Sequence, residues 1–113
     1  MYLSNAFSIN MFKPEDYRVN LRPLSVEEAR EMLGQDFVSC VGREDTARVI
    51  SGILGIEVPV NRVNVELDPD SDYMVVAQYS GPRLEDGAVE LPDGAKIEFW
   101  FVEIWSRVQG FVL

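Results

Sequence analysis

Phe37-Val38-Ser39-Cys40-Val41-Gly42-Arg43-Glu44-Asp45-Thr46 reads as an apolar strand, a glycine that ends it, and a helix that begins at once with a charged donor in its first turn. The helix pattern runs from Arg43 to Leu54, with Ala47, Ile50 and Leu54 on one face, and Gly55 stops it. Unpaired backbone N–H groups at a helix start, the positive end of the helix dipole and a guanidinium together favour a phosphate group there. The alternative is an ordinary helix start that holds only water.

Working outward, Met1 to Ala6 reads as a short strand, and Tyr17, Val19 and Leu21 alternate with Arg18, Asn20 and Arg22 as a strand with one wet face. Ser25-Val26-Glu27-Glu28 is a capping box that opens an amphipathic helix, and Gly34 ends it. The continuous apolar character of Phe37 to Val41 predicts a buried strand. Val60 to Leu67 alternates cleanly, Tyr73 to Tyr79 is strand-like, and Ile97 to Val108 is rich in β-formers. The resulting order, β-β-α-β-α-β-β-β, predicts a single α/β domain over residues 1–113, a mixed sheet with two main helices packed on it. Between Ser80 and Lys96 lies a segment without a strand pattern, and loops of that length in compact domains are often functional. Its glycines and prolines also suit plain turns. Arg83, set among turn formers, is the residue able to swing over a ligand.

With 113 residues, of which 47% are hydrophobic, the chain has the size and composition of one globular domain. Only about two-thirds of its surface can be buried at this length, so association with a second copy would help. The apolar run Phe99-Trp100-Phe101-Val102-Glu103-Ile104-Trp105 predicts a strand covered on both faces and supports a homodimer. The net charge is −9, from 19 acidic and 10 basic residues, which argues against long DNA or RNA. A small anion is compatible with that surface, because a few arginines decide the potential inside a concave site. The single cysteine, Cys40, excludes an intramolecular disulfide, fits a reducing compartment, and reads as a buried structural thiol. No stretch approaches the about 18 apolar residues of a membrane span, and no export signal is evident, so a cytoplasmic protein without a membrane partner is expected.

The chain contains no histidine. Ser-His-Asp and Cys-His nucleophilic sites, histidine acid catalysis and histidine metal ligation all fall away together. There is no P-loop and no G-x-G-x-x-G, and one cysteine cannot build a zinc site. Asp68, Asp70 and Asp72 lack the glycine and distal glutamate of a calcium loop and read as a solvated acidic turn. Neither a metal nor a cofactor is expected.

Leu3-Ser4-Asn5-Ala6-Phe7-Ser8-Ile9-Asn10-Met11, the Val41-Gly42-x-x-x-Thr46 helix start, Asn61-Arg62-Val63 and the Arg83-Leu84-x-x-Gly87 loop occur in this order along nearly the whole chain. In that arrangement the chain resembles the viral type III anti-CRISPR ring nucleases, small proteins that bind and degrade cyclic tetra-adenylate. The resemblance implies an α/β homodimer that holds one cyclic ring across its two-fold interface, without a metal, under a closing loop. It implies roles for Ser8 and Asn10 near the first strand, for Arg43 after the glycine, and for Arg83 and Asp86 in the lid loop. Asn5, Gly42 and Thr46 belong to the same motifs and are taken with them as ligand contacts. Two positions depart from the family pattern: Arg43 stands where the family carries histidine, and Asp86 where glutamate is usual.

The implied reaction is attack of a ribose 2′-oxygen on its own phosphodiester, with the histidine protonating the departing 5′-oxygen. Arginine stays protonated far above neutrality and so seldom releases a proton there, although it stabilises charge developing on phosphate oxygens. Losing a general acid costs a factor of about 10²–10⁴. The resemblance therefore implies a binding protein that sequesters a cyclic oligonucleotide, with Arg43, Ser8 and Asp86 as the remnant of a catalytic set. The alternatives are an active metal-independent ring nuclease, on this or another cyclic nucleotide, and a non-catalytic dimeric accessory protein.

Overall fold

The computed structural model describes residues 1–34, 36–68 and 72–106. Its elements are β1 (Tyr2–Ser4), a 3-10 turn (Ile9–Met11), β2 (Tyr17–Leu24), α1 (Val26–Leu33), β3 (Val38–Ser39), α2 (Glu44–Leu54), β4 (Tyr73–Ser80) and β5 (Lys96–Ser106). The strands form one mixed sheet in the order β2-β5-β4-β1-β3. Strand β1 runs parallel to both β3 and β4, while β5 is antiparallel to β4 and β2. The α/β single-domain reading holds.

Each helix is bounded by local chemistry. At the start of α1 the Ser25 hydroxyl accepts from the Glu28 N–H and the Ser25 N–H donates to Glu28 Oε1, both at 3.0 Å. The Ser25 N–H bond, with help from the Ser25 hydroxyl and the Arg22 guanidinium, holds the Glu28 carboxyl below its ordinary value. Replacing Ser25 with alanine is expected to lower Tm by several degrees, measured by thermal scanning, as cap loss does in a domain of this size. Gly55 ends α2 in the left-handed region at φ 70° and donates its N–H to the Ser51 carbonyl.

Alternate residues of β4 and β5 point to opposite sides of the sheet. Val75, Ala77 and Phe99 join Leu3, Leu33, Ala47, Ile50 and Leu54 in the core beneath the two helices. Met74, Val76, Val102 and Ile104 lie in a second cluster on the other side, with Leu67 and the half-buried Met11, Phe12 and Tyr17. Apolar residues on both sides of β5 therefore reflect two cores within one chain.

Two strand expectations are corrected. Residues 60–67 form no strand but cover the second cluster as an extended segment, tied by Asn61 N–H to the Val41 carbonyl and by Leu67 N–H to the Met11 carbonyl, each at 2.8 Å. Val65 and Leu67 pack inward while Val60 and Val63 are exposed, so the alternation records one-sided burial without a hydrogen-bond ladder. The expected buried strand Phe37–Val41 is only Val38–Ser39, at the sheet edge, and Val38 is 47% exposed. Its apolar residues at either end serve the helix-side core, Val41 buried within it and Phe37 packed against it. Residues 107 and 108 of the expected last strand, and Asp70 of the acidic turn, lie outside the described residues.

Candidate functional site

Parallel strands leave a crevice beyond their carboxyl ends, where open α/β sheets commonly bind ligands. Here β1 ends at Ser4, whose hydroxyl donates to the Ala6 carbonyl at 2.8 Å and accepts from the Ala6 N–H, turning the chain out of the sheet. Ser8 then accepts from the Asn10 N–H at 3.2 Å and caps the 3-10 turn, while Phe7 meets Phe12 edge-on at 5.6 Å. Opposite, Asn61 Nδ2 donates to the Ser39 carbonyl at 2.7 Å and Ser39 Oγ to the Pro59 carbonyl at 2.6 Å, pinning the extended segment to the end of β3. The result is a cleft of about 580 Å³ lined by Ser4, Asn5, Ala6, Ser8, Asn10, Met11, Cys40, Val63, Asn64 and Val65. Its volume lies within the range of about 300–1,000 Å³ of small-ligand sites. None of its lining side chains is charged; amides and hydroxyls face a partly apolar wall.

Cys40 belongs to that wall, which corrects its reading as a buried structural thiol. It follows a two-residue edge strand and is half-buried, and the burial it has pushes its thiol pKa up. A raised pKa keeps it protonated and a poor nucleophile.

The start of α2 forms a second cavity of about 310 Å³, lined by Arg43, Glu44, Asp45, Arg48, Asp86 and Gly87. Arg43 Nη2 lies 2.7 Å from Asp45 Oδ2 and 4.0 Å from Asp86 Oδ1. The other oxygen of Asp45 accepts from the Thr46 N–H at 2.8 Å. The helix start is thus already supplied with an anion by its own first turn, a feature the sequence pattern does not reveal. Thr46 is buried with its N–H taken, and its side chain lines neither cavity. The Arg62 side chain packs over Gly42, where an added Cβ would meet it at 3.4 Å.

The loop between β4 and β5 is tethered to α2 by Arg48 Nη1, which donates to the Ala88 carbonyl at 3.4 Å. Its two ends are pinched together: Gly81 has φ 134°, and a Cβ there would sit 2.7 Å from Ala95 Cα. Leu84 is buried beneath the loop, whereas Arg83 is exposed and makes no hydrogen bond or ion pair with another described residue.

Asn5, Ser8 and Asn10 thus share one cleft, and Arg43 and Asp86 share another. Asn64 and Arg48 enter as lining residues that sequence reasoning passed over. Arg48 carried a signal, lying one helical turn beyond Glu44 and ion-paired to it at 3.1 Å. Asn64 carried none, because strand alternation assigns it to the side opposite Val63 and Val65, yet all three line the cleft. Among the described residues there is no group of three or more His, Cys, Asp and Glu side chains able to hold a metal ion, and no helix long and apolar enough to cross a membrane.

The comparisons with known proteins converge on viruses. A protein of Sulfolobus islandicus filamentous virus (isolate Iceland/Hveragerdi) is 31% identical over 90 residues, 79% of this chain and 75% of that protein. A protein of Acidianus two-tailed virus is 30% identical over 92 residues, 79% of this chain and 76% of that protein. The solved structure of B116 of Sulfolobus turreted icosahedral virus matches with a TM-score of 0.76 and 28% identity, over 90% of this chain and 97% of that one. The STIV B116-like family model matches residues 1–101, a span that includes both cavities and the loop, and the chain belongs to that family.

Proposed function

We propose that the chain binds a cyclic oligonucleotide immune messenger, cyclic tetra-adenylate in the first instance, and antagonises host defence by sequestering it. The observation that carries this reading is the uncharged cleft at the carboxyl ends of β1 and β3, where Asn5, Ser8, Asn10 and Asn64 offer amides and a hydroxyl beside Met11 and the valines. Amides read the edges of adenine, and apolar walls accept its faces. The viral relatives supply a context in which withholding a host signal is useful.

Sequestration rather than rapid cleavage follows from Arg43. The chain has no histidine, and the guanidinium at the position that the resemblance gives to the general acid is ion-paired to Asp45. It can hold a phosphate oxygen through its remaining donors but is a poor source of a proton.

A two-fold dimer suits a symmetric ring, and one sheet face provides a surface for it. Opposite the helices, Phe7, Leu21, Val76, Gln78, Trp100 and Val102 line a largely apolar groove of about 280 Å³. Ile9 is 84% exposed and Leu21 53%, on or beside the segment that lines the ligand cleft. Light scattering at micromolar concentration is expected to give the mass of a dimer, and calorimetric titration one ring per two chains. A monomeric mass contradicts the dimer; absence of ring binding contradicts the function.

A further inference from the structure

We propose that the outer edge of β2 pairs antiparallel with β2 of a second copy of this chain, centred on Val19, a contact separate from the groove on the sheet face. Strand β2 is the last on its side of the sheet and eight residues long, and no backbone bond from another described element reaches its outer side. Pro23 fixes which residues face out. A proline within a strand has no N–H for a ladder and sits with its nitrogen turned away from its neighbour. Backbone groups alternate along a strand, so Tyr17, Val19 and Leu21 turn N–H and C=O outward, while Arg18, Asn20, Arg22 and Leu24 bond β5. Such edges are usually short or blocked by charge. Here Arg22 does not block it, because it folds back over its own sheet face, its guanidinium 5.7 Å from the Phe101 ring and 3.3 Å from Glu28. On the opposite face Val19 and Leu21 remain 40% and 53% exposed.

Charge along the strand selects both the partner and the register. Two copies related by a two-fold axis pair with their outward residues opposite one another. Centring on Asn20 sets Arg18 against the partner's Arg22 twice, and centring on Arg18 sets that residue against itself; like charges directly opposite are destabilising. Centring on Leu21 sets Val19 against the partner's Pro23, which returns no N–H. Centring on Val19 instead sets Arg22 against the partner's Asp16, the exposed residue leading into β2, at both ends, and Arg18 against the partner's Asn20. Tyr17 then exchanges N–H to carbonyl bonds with the partner's Leu21, and Val19 with the partner's Val19, while Pro23 lies outside these pairs. The net charge of −9 on each copy opposes the contact, which therefore builds up on concentration. Strand β2 stands at the far edge of the sheet from β3, so pairing leaves the ligand cleft open and stands independently of what fills it.

The test is association of the whole chain followed by light scattering and by residue-resolved hydrogen exchange. In about 0.15 M salt the wild-type mass is expected to rise as the protein is concentrated from about 10 μM to about 1 mM. Over that range the N–H groups of Val19 and Leu21 are expected to gain at least about threefold protection, whereas those of Asn20 and Arg22, already bonded to β5, change little. Val19→Lys, which brings two lysines together at the centre, is expected to abolish both changes with Tm held within a few degrees. Arg22→Asp and Asp16→Arg are each expected to weaken association at least about fivefold, and the two together to restore it. Arg22 also bonds Glu28, so Val19→Lys carries the test should Arg22→Asp not fold. A mass constant over the range, association that persists in Val19→Lys, or Val19 and Leu21 N–H groups already fully protected in dilute protein, which would mean another segment covers the edge, overturns the pairing. A double variant that associates no better than the single ones overturns the register.

Discussion

Replacing Arg43 with histidine is expected to raise single-turnover cleavage of cyclic tetra-adenylate at least about tenfold, within the factor of about 10²–10⁴ that a general acid supplies. Histidine is the side chain whose proton is exchangeable near neutrality, so it restores the donor that the chain lacks. The surroundings favour this. Asp45 and Asp86 carboxylates flank position 43, and an opposite charge raises the pKa of an imidazolium, keeping the acid form populated at neutral pH. Cleavage by Arg43→His should therefore fall as pH rises above neutrality. Recovery is expected to be partial, because Asp86 is fully exposed and one methylene shorter than glutamate, and so orients its partner weakly. A wild type that already cleaves about once per minute or faster, and that Arg43→His slows, would make arginine a working catalytic group.

Replacing Arg83 with alanine is expected to weaken ring binding at least about tenfold, since a charge-assisted contact to phosphate is worth about 1.5–3 kcal/mol and a dimer loses two. Melting should move by no more than a few degrees. Arg83 is exposed and joined to no other described residue by hydrogen bond or ion pair, while the anchoring of the loop falls to the buried Leu84 and the Arg48 bond to Ala88. Titration and thermal scanning of the one variant separate the two effects. An unchanged dissociation constant would show that Arg83 does not reach the ligand.

Features written in local chemistry were legible from the chain. The Ser25–Glu28 box and Gly34 bound α1, Gly55 ends α2, and the β4 and β5 segments stand where β-formers cluster. Segment 60–67 was misread because a period of two reports which side chains are buried, and an extended covering segment has the same requirement as a strand. The short β3 was misread because an apolar run does not distinguish ladder from core: Val41 is buried by the helices after pairing has ended. In the site, Ser8 and Asn10 are neighbours in sequence and meet through one capping bond, so their proximity was legible. The 4.0 Å approach of Arg43 to Asp86 spans 43 positions and depends on how the loop returns to α2. The role of Asp45 was hidden for a different reason. An acid in a first helical turn ordinarily serves the dipole, and only the fold shows one oxygen on the Thr46 N–H and the other on Arg43.

The most direct measurement is incubation of the wild-type protein with radiolabelled cyclic tetra-adenylate, followed by separation of bound, cleaved and free ligand over time. Sequestration predicts that a dimer equivalent of protein captures the ring within the mixing time and that denaturation afterwards releases it intact, without metal. Ligand that stays free, or that is recovered mainly as linear product after a few minutes, would contradict it.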